Sequence, residues 1–317
     1  MAIKQDNAAS RLEDAARAGW LYYLAGNNQE QIARRLGISR QAAQRLVSLS
    51  VSEGLIKVRL DHPIARCMEL AEQLRARFGL DLSEVVPSDP GSASSVLGIA
   101  QAAAAEIERR LQSSTPIIMA VGTGRTLKAA TEQLTPFDCR QHKVVSLTGN
   151  IAPDGSASFF NVIFNMADRV KAKAYPMPLP VIASSREERD MLLSQPMIGE
   201  TLRLAARADI TLVGLGDLGP EAPLLLDGFI NEAELRDLLE AGAVGEIVGW
   251  AFDAEGRLIE GLTNERVASA PLPSRDSSLV VAIAKGPRKL PGLRAALKRR
   301  LVNGLITDES TAEQLLA

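Results

Sequence analysis

The segment Gly122–Thr126, which follows Val121, combines the residue types that build a backbone anion site. Its members are two glycines, two threonines and one arginine, namely Gly122, Thr123, Gly124, Arg125 and Thr126. The glycines let backbone amides converge, the hydroxyls add donors, and the guanidinium adds positive charge. A helix is predicted from about Leu127, so the loop precedes a helix N-terminus, where free amides attract anions. We therefore predict a cradle for an anionic or hydroxyl-rich ligand.

This loop differs from the two common nucleotide-binding loops. A P-loop needs Gly-Lys-Ser/Thr, and a dinucleotide fingerprint needs a third glycine where Leu127 stands and an acid near Ser146. A second cluster, Gly214–Gly219, matches G-x-G-x-x-G, but Pro220 and Pro223 follow it, so no helix is expected to open there. We predict a ligand-lining loop and no nucleotide cofactor.

Two charged residues are further candidates for ligand binding. Lys289 ends the basic segment 285–289 and precedes a helix whose first turn can hold Pro291, so its ammonium is predicted beside free amides. A solvated basic loop explains the segment equally well. Glu246 opens an apolar segment and lies either at a pocket mouth or on the surface.

The cysteines and histidines are too few and too scattered for a zinc site, a disulfide framework or a catalytic pair. Cys67 and Cys139 are expected to be reduced packing residues, and His62 and His142 are expected at the surface or at caps. No catalytic residue, metal or cofactor is predicted.

Near the N-terminus the pattern is typical of a helix-turn-helix. Asn28 can cap a short helix, Gln29–Leu36, Gly37 can end it, and Ser39 can cap a third helix reaching about residue 53. Two helices joined by a short glycine-containing turn define this motif. The alternating segment Leu55–Leu60 is predicted as a wing.

The exposed N-terminal face of the third helix is predicted to contact DNA, because arginine matches guanine and glutamine matches adenine in the major groove. The predicted DNA-binding residues are Ser39, Arg40, Gln41, Gln44, Arg45 and Lys57 of the wing. A three-helix bundle with a solvated polar face would give the same helix pattern. The charge distribution favours DNA, since residues 1–60 carry a net charge of +4 within a chain of net charge −2.

The remaining chain alternates apolar strands with helical segments. The predicted strands are Ile117–Val121, Val144–Leu147, Val181–Ala183, Ile210–Val213, Ile247–Phe252, Leu279–Ala284 and Leu305–Thr307. This alternation predicts an α/β fold, a Rossmann-like doubly wound and mostly parallel sheet, whose ligands bind at the carboxyl ends of the strands. An amphipathic helix is predicted over residues 61–79 from the spacing of Ile64, Met68, Ala71, Leu74 and Phe78.

The length of 317 residues, with 46% hydrophobic and 23% charged residues, fits a globular chain of two domains. We predict a winged helix-turn-helix domain over residues 1–60 and a ligand-binding domain over 61–317, with 61–79 as a linker helix. No apolar run reaches the roughly 18 residues of a membrane span, and residues 1–10 are polar, so a cytoplasmic protein is expected.

The chain resembles the SorC family of sugar-binding bacterial transcriptional regulators over nearly its whole length. The resemblance lies in QEQIARRLGISRQAAQRLV, VGTGRTL, PMPLPVIAS, ADITLVGLG, GAVGEIVGWAFDAEG and AALKRRLVNGLITDESTAEQLL. It implies a winged helix-turn-helix joined to an effector domain related to sugar-phosphate isomerases. It also implies an assembly of identical chains, a dimer or tetramer, on operator DNA.

In that family the loop at Gly122–Thr126, an acid at the position of Glu246 and the lysine at the position of Lys289 contact the effector. This chain differs at Glu246, where Asp is usual, and at Trp250, which is often Arg, Tyr or His. The resemblance implies a regulator of a carbohydrate or polyol operon, switched by a sugar, polyol or sugar phosphate. The alternative is a sugar-phosphate isomerase or deaminase with an accessory head. Such an enzyme needs a positioned base, and the sequence places no histidine–acid pair or carboxylate cluster beside the glycine loop.

Overall fold

The computed structural model describes residues 2–56, 64–89, 91–92, 95–152, 155–157, 160–272, 274–275 and 278–317. The chain divides into two compact units, Met1–His62 and Pro63–Ala317. None of the helices formed by the described residues is long and apolar enough to cross a membrane.

Three helices form the first unit, namely α1 (Ala2–Tyr23), α2 (Gln29–Leu36) and α3 (Arg40–Ser52). Asn28 caps α2, because its side-chain oxygen accepts a hydrogen bond from the backbone N–H of Gln31 at 2.9 Å. The Gln31 side chain in turn accepts one from the N–H of Asn28 at 2.8 Å. Gly37 ends α2 with a φ of 67°. The predicted boundaries of α2 are confirmed, since its caps lie within a few residues of the helix.

The core of the first unit is small and draws on all three helices. It consists of Ala18, Leu21, Ile32, Ala33, Ala43 and Val47. Gly19 lets α1 approach α3, because a Cβ at Gly19 would lie 2.4 Å from Ser50 Oγ. Of the predicted wing, residues 57–60 lie outside the described residues, and residues 55 and 56 form a bend.

The second unit contains nine strands in its described residues. They are β1 (Leu82–Val86), β2 (Ile118–Val121), β3 (Lys143–Ser146), β4 (Lys173–Tyr175), β5 (Ile210–Val213), β6 (Ala243–Ile247), β7 (Trp250–Asp253), β8 (Leu279–Ile283) and β9 (Gly304–Asp308). Seven of them form a parallel sheet in the order β1-β9-β8-β5-β2-β3-β4, and β6 and β7 form an antiparallel hairpin.

The helices of the second unit are α4 (Ala65–Phe78), α5 (Leu97–Leu111), α6 (Arg125–Gln133), α7 (Val162–Val170), α8 (Arg186–Leu193), α9 (Pro196–Ala206), α10 (Pro223–Leu226), α11 (Glu232–Glu240), α12 (Leu290–Arg299) and α13 (Glu309–Leu316). Two sets of them cover the two faces of the parallel sheet, whereas α10 and α11 form a separate core with the β6–β7 hairpin. Ala120 of β2 joins a core with α4, α9, α12 and α13, whereas its neighbours Met119 and Val121 join a core with α5, α6 and α7. The predicted doubly wound α/β fold is confirmed.

The predicted strand Ile247–Phe252 is wrong, because the chain reverses inside it. Val248 and Gly249 have φ angles of 49° and 91°, and such a two-residue turn joins antiparallel strands. The predicted strand Val181–Ala183 is also wrong, since Ile182 forms only an isolated bridge with Val267. The strands β1 and β4 were not predicted. They are the two edges of the sheet, and their sequences mix polar with apolar residues.

The helix predicted over residues 61–79 is α4, and it packs within the second unit. Its buried residues are Cys67, Leu70 and Leu74, which join the core shared with α9, α12 and α13. Met68, predicted on the apolar face, is instead 57% exposed, because the buried stripe is centred one position away from it. Burial raises the pKa of the Cys67 and Cys139 thiols to about 11, as expected of cysteines that only pack.

Of the two locations expected for His142, the surface is wrong, whereas a cap fits, because the ring contacts the last carbonyl of α5. The ring is fully buried at the start of β3. Its Nδ1 accepts a hydrogen bond from the N–H of Ile117 at 3.1 Å, which leaves Nε2 to donate to the carbonyl of Leu111 at 2.9 Å. A neutral histidine thus ties β3 to the segments that precede β2. His62 lies outside the described residues.

Candidate functional site

The glycine loop, defined as Gly122–Thr126, joins β2 to α6 at the carboxyl end of the parallel sheet. The helix begins at Arg125, two residues earlier than predicted, and Gly124 is its N-cap with a φ of 117°. No side chain caps α6. The first-turn amides therefore have no side-chain acceptor, and together with the helix dipole they favour a negatively polarised group.

The two glycines of this loop are required for different structural reasons. A Cβ at Gly124 would meet nothing within 4 Å, so its positive φ alone calls for glycine. A Cβ at Gly122 would lie 3.0 Å from Val248 Cγ1. Gly122 is therefore needed where the β6–β7 turn packs against the loop.

Glu246 lies inside β6 and is 8% exposed, so it is not the surface acid that the sequence left open. Its Oε2 accepts a hydrogen bond from the N–H of Gly249 at 2.7 Å. Its backbone exchanges two hydrogen bonds of 3.0 Å with Gly216, and a Cβ at Gly216 would lie 2.0 Å from its Oε1. The cluster Gly214–Gly219 thus makes room for this carboxylate.

Burial raises the pKa of Glu246, and the nearby carboxylates of Asp217 and Asp227 act in the same direction. The hydrogen bond from Gly249 and the positive charge of Lys289 oppose this rise without cancelling it. The sequence did not single out Asp217 or Asp227. Both lie in the segment that follows β5, far along the chain from Glu246 or the glycine loop.

Lys289 is half-buried at the start of α12, and its Nζ donates a hydrogen bond to the carbonyl of Leu215 at 2.6 Å. Burial lowers the pKa of this ammonium, while Asp217 and Glu246 oppose the shift and Arg125 reinforces it. Three contacts bring Lys289, Glu246 and the glycine loop to one region. Lys289 binds the carbonyl of Leu215, the next residue pairs with Glu246, and the turn after Glu246 packs on Gly122. The solvated basic loop that the sequence left open does not describe Lys289.

Two other cations at this region already have carboxylate partners. Arg125 pairs with Asp227 at 2.9 Å and lies 5.1 Å from the centroid of the Phe160 ring. Arg288 pairs with Glu221 and lies 3.8 Å from Asp217. The site is therefore close to electrically balanced rather than strongly cationic.

Lys285 belongs to a separate polar cluster at the ends of β8, β9 and β1. Its Nζ lies 3.0 Å from Asp308 Oδ2 and donates to the carbonyl of Ser95 at 3.0 Å. Asp308 also accepts hydrogen bonds from Ser88 and from the N–H of Thr311. Since its polar groups satisfy one another, this cluster holds three strand ends together.

The loop after β3 contains a polar group without a partner. The side-chain oxygen of Asn150 is buried and accepts no hydrogen bond from the described residues. β3 is the neighbour of β2 in the sheet, so this oxygen lies at the same carboxyl edge as the glycine loop. Buried acceptors of this kind are rare and call for an explanation.

The expectation that no helix opens after Gly214–Gly219 is wrong in one respect. A single turn, α10, begins at Pro223 four residues after Gly219, because proline is well tolerated in the first turn of a helix. A one-turn helix after two prolines is still not the helix of a dinucleotide-binding motif.

In the first unit, the predicted DNA-contacting side chains share one exposed face of α3. Ser39 Oγ caps the helix by accepting from the N–H of Ala42 at 3.2 Å. Arg40, Gln41, Gln44 and Arg45 are all exposed. A shallow concavity of about 590 Å³ runs along this face, and Arg11 of α1, which the sequence reasoning missed, lines it too. Lys57 lies outside the described residues.

Comparison with known proteins connects both units to one family. Residues 62–317 match the family model described as "Putative sugar-binding domain". The erythritol catabolism regulatory protein EryD of Brucella abortus is 33% identical over 302 residues, covering 95% of this chain and 96% of that protein. The transcriptional regulator LsrR of Klebsiella pneumoniae is 30% identical over 325 residues, covering 98% and 94%.

A full-length solved structure is similar over almost the whole chain. The sorbitol operon regulator SorC of Klebsiella pneumoniae has a TM-score of 0.70 at 25% identity, covering 96% of this chain and 99% of that one. The fold, the family model and the curated relatives agree. The chain belongs to the SorC-type family of sugar-binding transcriptional regulators.

Proposed function

We propose that this regulator controls a carbohydrate or polyol catabolic operon, and that the exposed face of α3 binds its operator. The predicted contacts are Ser39, Arg40, Gln41, Gln44 and Arg45, with Lys57 on the DNA backbone. The effector binds at the carboxyl edge of the parallel sheet. The observation that carries the effector site is the convergence of the glycine loop, Glu246 and Lys289 on one region, through the packing of Gly122 on the β6–β7 turn and the contacts of Glu246 and Lys289 with the segment after β5.

The chemistry of this region fits a small hydroxyl-rich ligand. Glu246 accepts hydrogen bonds from hydroxyl groups, and Lys289 donates to a hydroxyl or a phosphate oxygen. Because Asp227 and Glu221 already pair with the neighbouring arginines, a phosphate, where present, binds at the amides of the glycine loop.

A thermal-shift screen tests this site. The ligands are sugars, polyols and their phosphates, including erythritol, since a relative at 33% identity is named for erythritol catabolism. A ligand at 100 times its Kd stabilises the folded chain by about 2.7 kcal/mol, which raises the Tm. If no sugar, polyol or phosphate in the screen raises the Tm, the proposed effector class is wrong.

The variant Gly124→Val links the shift to the glycine loop. Valine cannot adopt a φ of 117° without strain, so the amides move and the ligand-induced shift disappears, while operator binding remains. Gly242→Val is the matched control, because Gly242 also has a positive φ (82°) and open space but lies between α11 and β6. A ligand response that survives Gly124→Val, or that Gly242→Val equally abolishes, contradicts this placement.

Operator binding is tested with duplexes that the wild-type chain enriches from a random pool. Gln41→Ala or Arg45→Ala should cost about 1–3 kcal/mol and relax the preference at one base pair. Lys57→Ala should weaken binding to all sequences alike and flatten the salt dependence. If both α3 variants keep the base preferences of the wild type, α3 does not read the operator and the proposal is wrong.

We further propose that the site binds its ligand without converting it. Glu246 is held by the N–H of Gly249, and Lys289 by the carbonyl of Leu215. The curated relatives above are named as regulators. Nuclear magnetic resonance spectra of a binding sugar phosphate, recorded over hours with the protein, should show no new species. Isomerised or deaminated product above the buffer rate would favour the enzyme instead.

The regulator is proposed to act in the cytoplasm, where its DNA is, as a homo-oligomer with two domains, residues 1–60 and 61–317. A dimer or tetramer presents α3 in symmetric copies, which suits a roughly palindromic operator. Light scattering after size-exclusion chromatography measures the number of chains. A monomer that binds the operator with full affinity would contradict this part.

A further inference from the structure

The side of α1 that packs near the N-terminal half of α3 carries an exposed arginine, Arg11. Gly19 of α1 lies against Ser50 near the end of α3, and Arg11 lines the concavity with Gln41, Gln44 and Arg45. Two such tie points mean that α1 runs antiparallel to α3. Arg11 therefore lies beside the N-terminal half of α3.

The position of Arg11 on α1 places its side chain on the face of the helix that packs on α3. Ala15, one turn later on the same face, is completely buried, so Arg11 continues the face that packs on α3. At Arg11 the core has ended, and the residue is exposed. None of the ion pairs formed by the described residues includes Arg11, Arg40 or Arg45. The concavity thus has unneutralised guanidinium groups on two helices around a pair of glutamines.

Arg17 provides an internal contrast on the same helix. It pairs with Glu13 at 2.6 Å and is not part of the concavity. The two arginines carry the same charge on the same element, but only Arg11 is unpaired and beside the glutamines. Charge composition alone does not distinguish them, whereas the packing of α1 on α3 does.

We propose that Arg11 binds a backbone phosphate of the operator strand that borders the major groove occupied by α3. This inference rests on the proposed contact between α3 and DNA. A helix that lies alongside the recognition helix is outside the groove, where the sugar-phosphate backbone passes. Guanidinium matches a phosphate geometrically and electrostatically. Phosphate contacts fix register and orientation without selecting the sequence, so Arg11 positions α3 and does not select bases.

The test uses the full chain and measures affinity from 50 to 200 mM salt. The probes are a duplex enriched by the wild-type chain from a random pool and a scrambled duplex of equal length. Each neutralised phosphate contributes a slope of about −0.9 to log K against log salt. Arg11→Ala and Arg11→Gln should reduce the slope by about one such unit for each DNA-bound chain, or about two for a dimer, on both duplexes. The affinity ratio of the two duplexes should stay unchanged within about twofold. Arg11→Lys should retain the slope.

Arg17→Ala is the matched control, and it should retain the wild-type slope. The Tm of each variant verifies the fold. Three results overturn the proposal: an unchanged slope in Arg11→Ala, an equal loss in Arg17→Ala, or a changed affinity ratio between the duplexes. Absence of salt-dependent DNA binding in the wild-type chain would instead contradict the proposed function, so the two failures are distinguishable.

Discussion

At the scale of single residues, two opposed effects act on the charge of Glu246. Its burial penalises the charged form, whereas the N–H of Gly249 and the ammonium of Lys289 stabilise that form. The net effect raises its pKa, and a hydroxyl group of a ligand would donate a further hydrogen bond that favours the charged form. The buried carboxylate therefore lowers the stability of the folded chain, and it can accept a hydrogen bond from a ligand.

The stability of the chain should depend on the ionisation of Glu246. Since the pKa is raised in the folded state, the unfolded chain loses the proton at lower pH, near the ordinary value of about 4.3. The contribution of Glu246 to stability is thus largest below that pH and falls as the pH rises through the folded pKa.

The measurement is the free energy of unfolding in urea at a series of pH values for the wild type and Glu246→Gln. The other carboxylates near the site, Asp217 and Asp227, are common to both proteins and largely cancel in the difference. We expect the wild type to lose stability relative to Glu246→Gln as the pH rises from about 4. A difference that is flat, or that increases with pH, would contradict the burial argument.

The relative effects of substitutions at Lys289 and Glu246 should reveal the phosphorylation state of the effector. Lys289→Ala should weaken binding by about 1.5–3 kcal/mol, the range for hydrogen bonds to charged groups. A phosphorylated effector should lose more on Lys289→Ala than on Glu246→Gln, and a neutral polyol should show the reverse order. Titration calorimetry measures both, with Lys298→Ala, on the exposed face of the same helix, as the control. If both site variants bind within about twofold of wild type, the site is misplaced.

At the scale of elements, local signals predicted the helices of the first unit better than the strands of the second. Asn28, Gly37 and Ser39 act on neighbouring residues, so their effects can be deduced from the sequence. The central strands β2, β5 and β8 are buried apolar runs and were found for that reason. The β6–β7 turn was missed because valine is rarely left-handed, and only the packing of Val248 in the folded chain maintains that conformation.

The caps of α2 should make a measurable contribution to the first unit. Asn28→Ala removes the side-chain oxygen that accepts from the N–H of Gln31 and should lower the stability of this unit by about 1 kcal/mol. The two tryptophans lie one in each unit, so Trp250→Phe leaves Trp20 as a probe of the first. In that background, Asn231→Ala removes the equivalent side-chain cap of α11 and should not shift the Trp20 transition. Equal shifts by both variants would show that the two units unfold together.

At the scale of the whole molecule, the site is assembled from distant parts of the chain. The glycine loop was predictable because its glycines, threonines and arginine are consecutive. Asp227 and Phe160 were not, because nothing local connects them to Arg125, and only the order of strands β5, β2 and β3 brings them there. Asp217 lies within the predicted ligand-lining loop Gly214–Gly219, but its proximity to Glu246 was not predicted. The parts of the site that can be predicted from the sequence are therefore those that a single loop provides.

The division into two units predicts separable functions. A chain of residues 63–317 retains the complete sheet and both of its helical layers, so it should keep the ligand-induced rise in Tm. It should show no binding to the operator duplex in a gel-shift assay. Operator binding by this fragment would place the DNA contacts outside the first unit. Loss of the ligand response in a folded fragment would place part of the effector site in the first unit.

The close packing of Val248 on Gly122 also has an evolutionary consequence. Any side chain at position 122 meets Val248 Cγ1 at 3.0 Å, so a lineage that gains a Cβ there needs Val248 to shift or to become smaller. The glycine loop and the turn after Glu246 are then expected to change together. A change of effector in a descendant of this protein would require compensatory substitutions on two segments more than 120 residues apart in the chain.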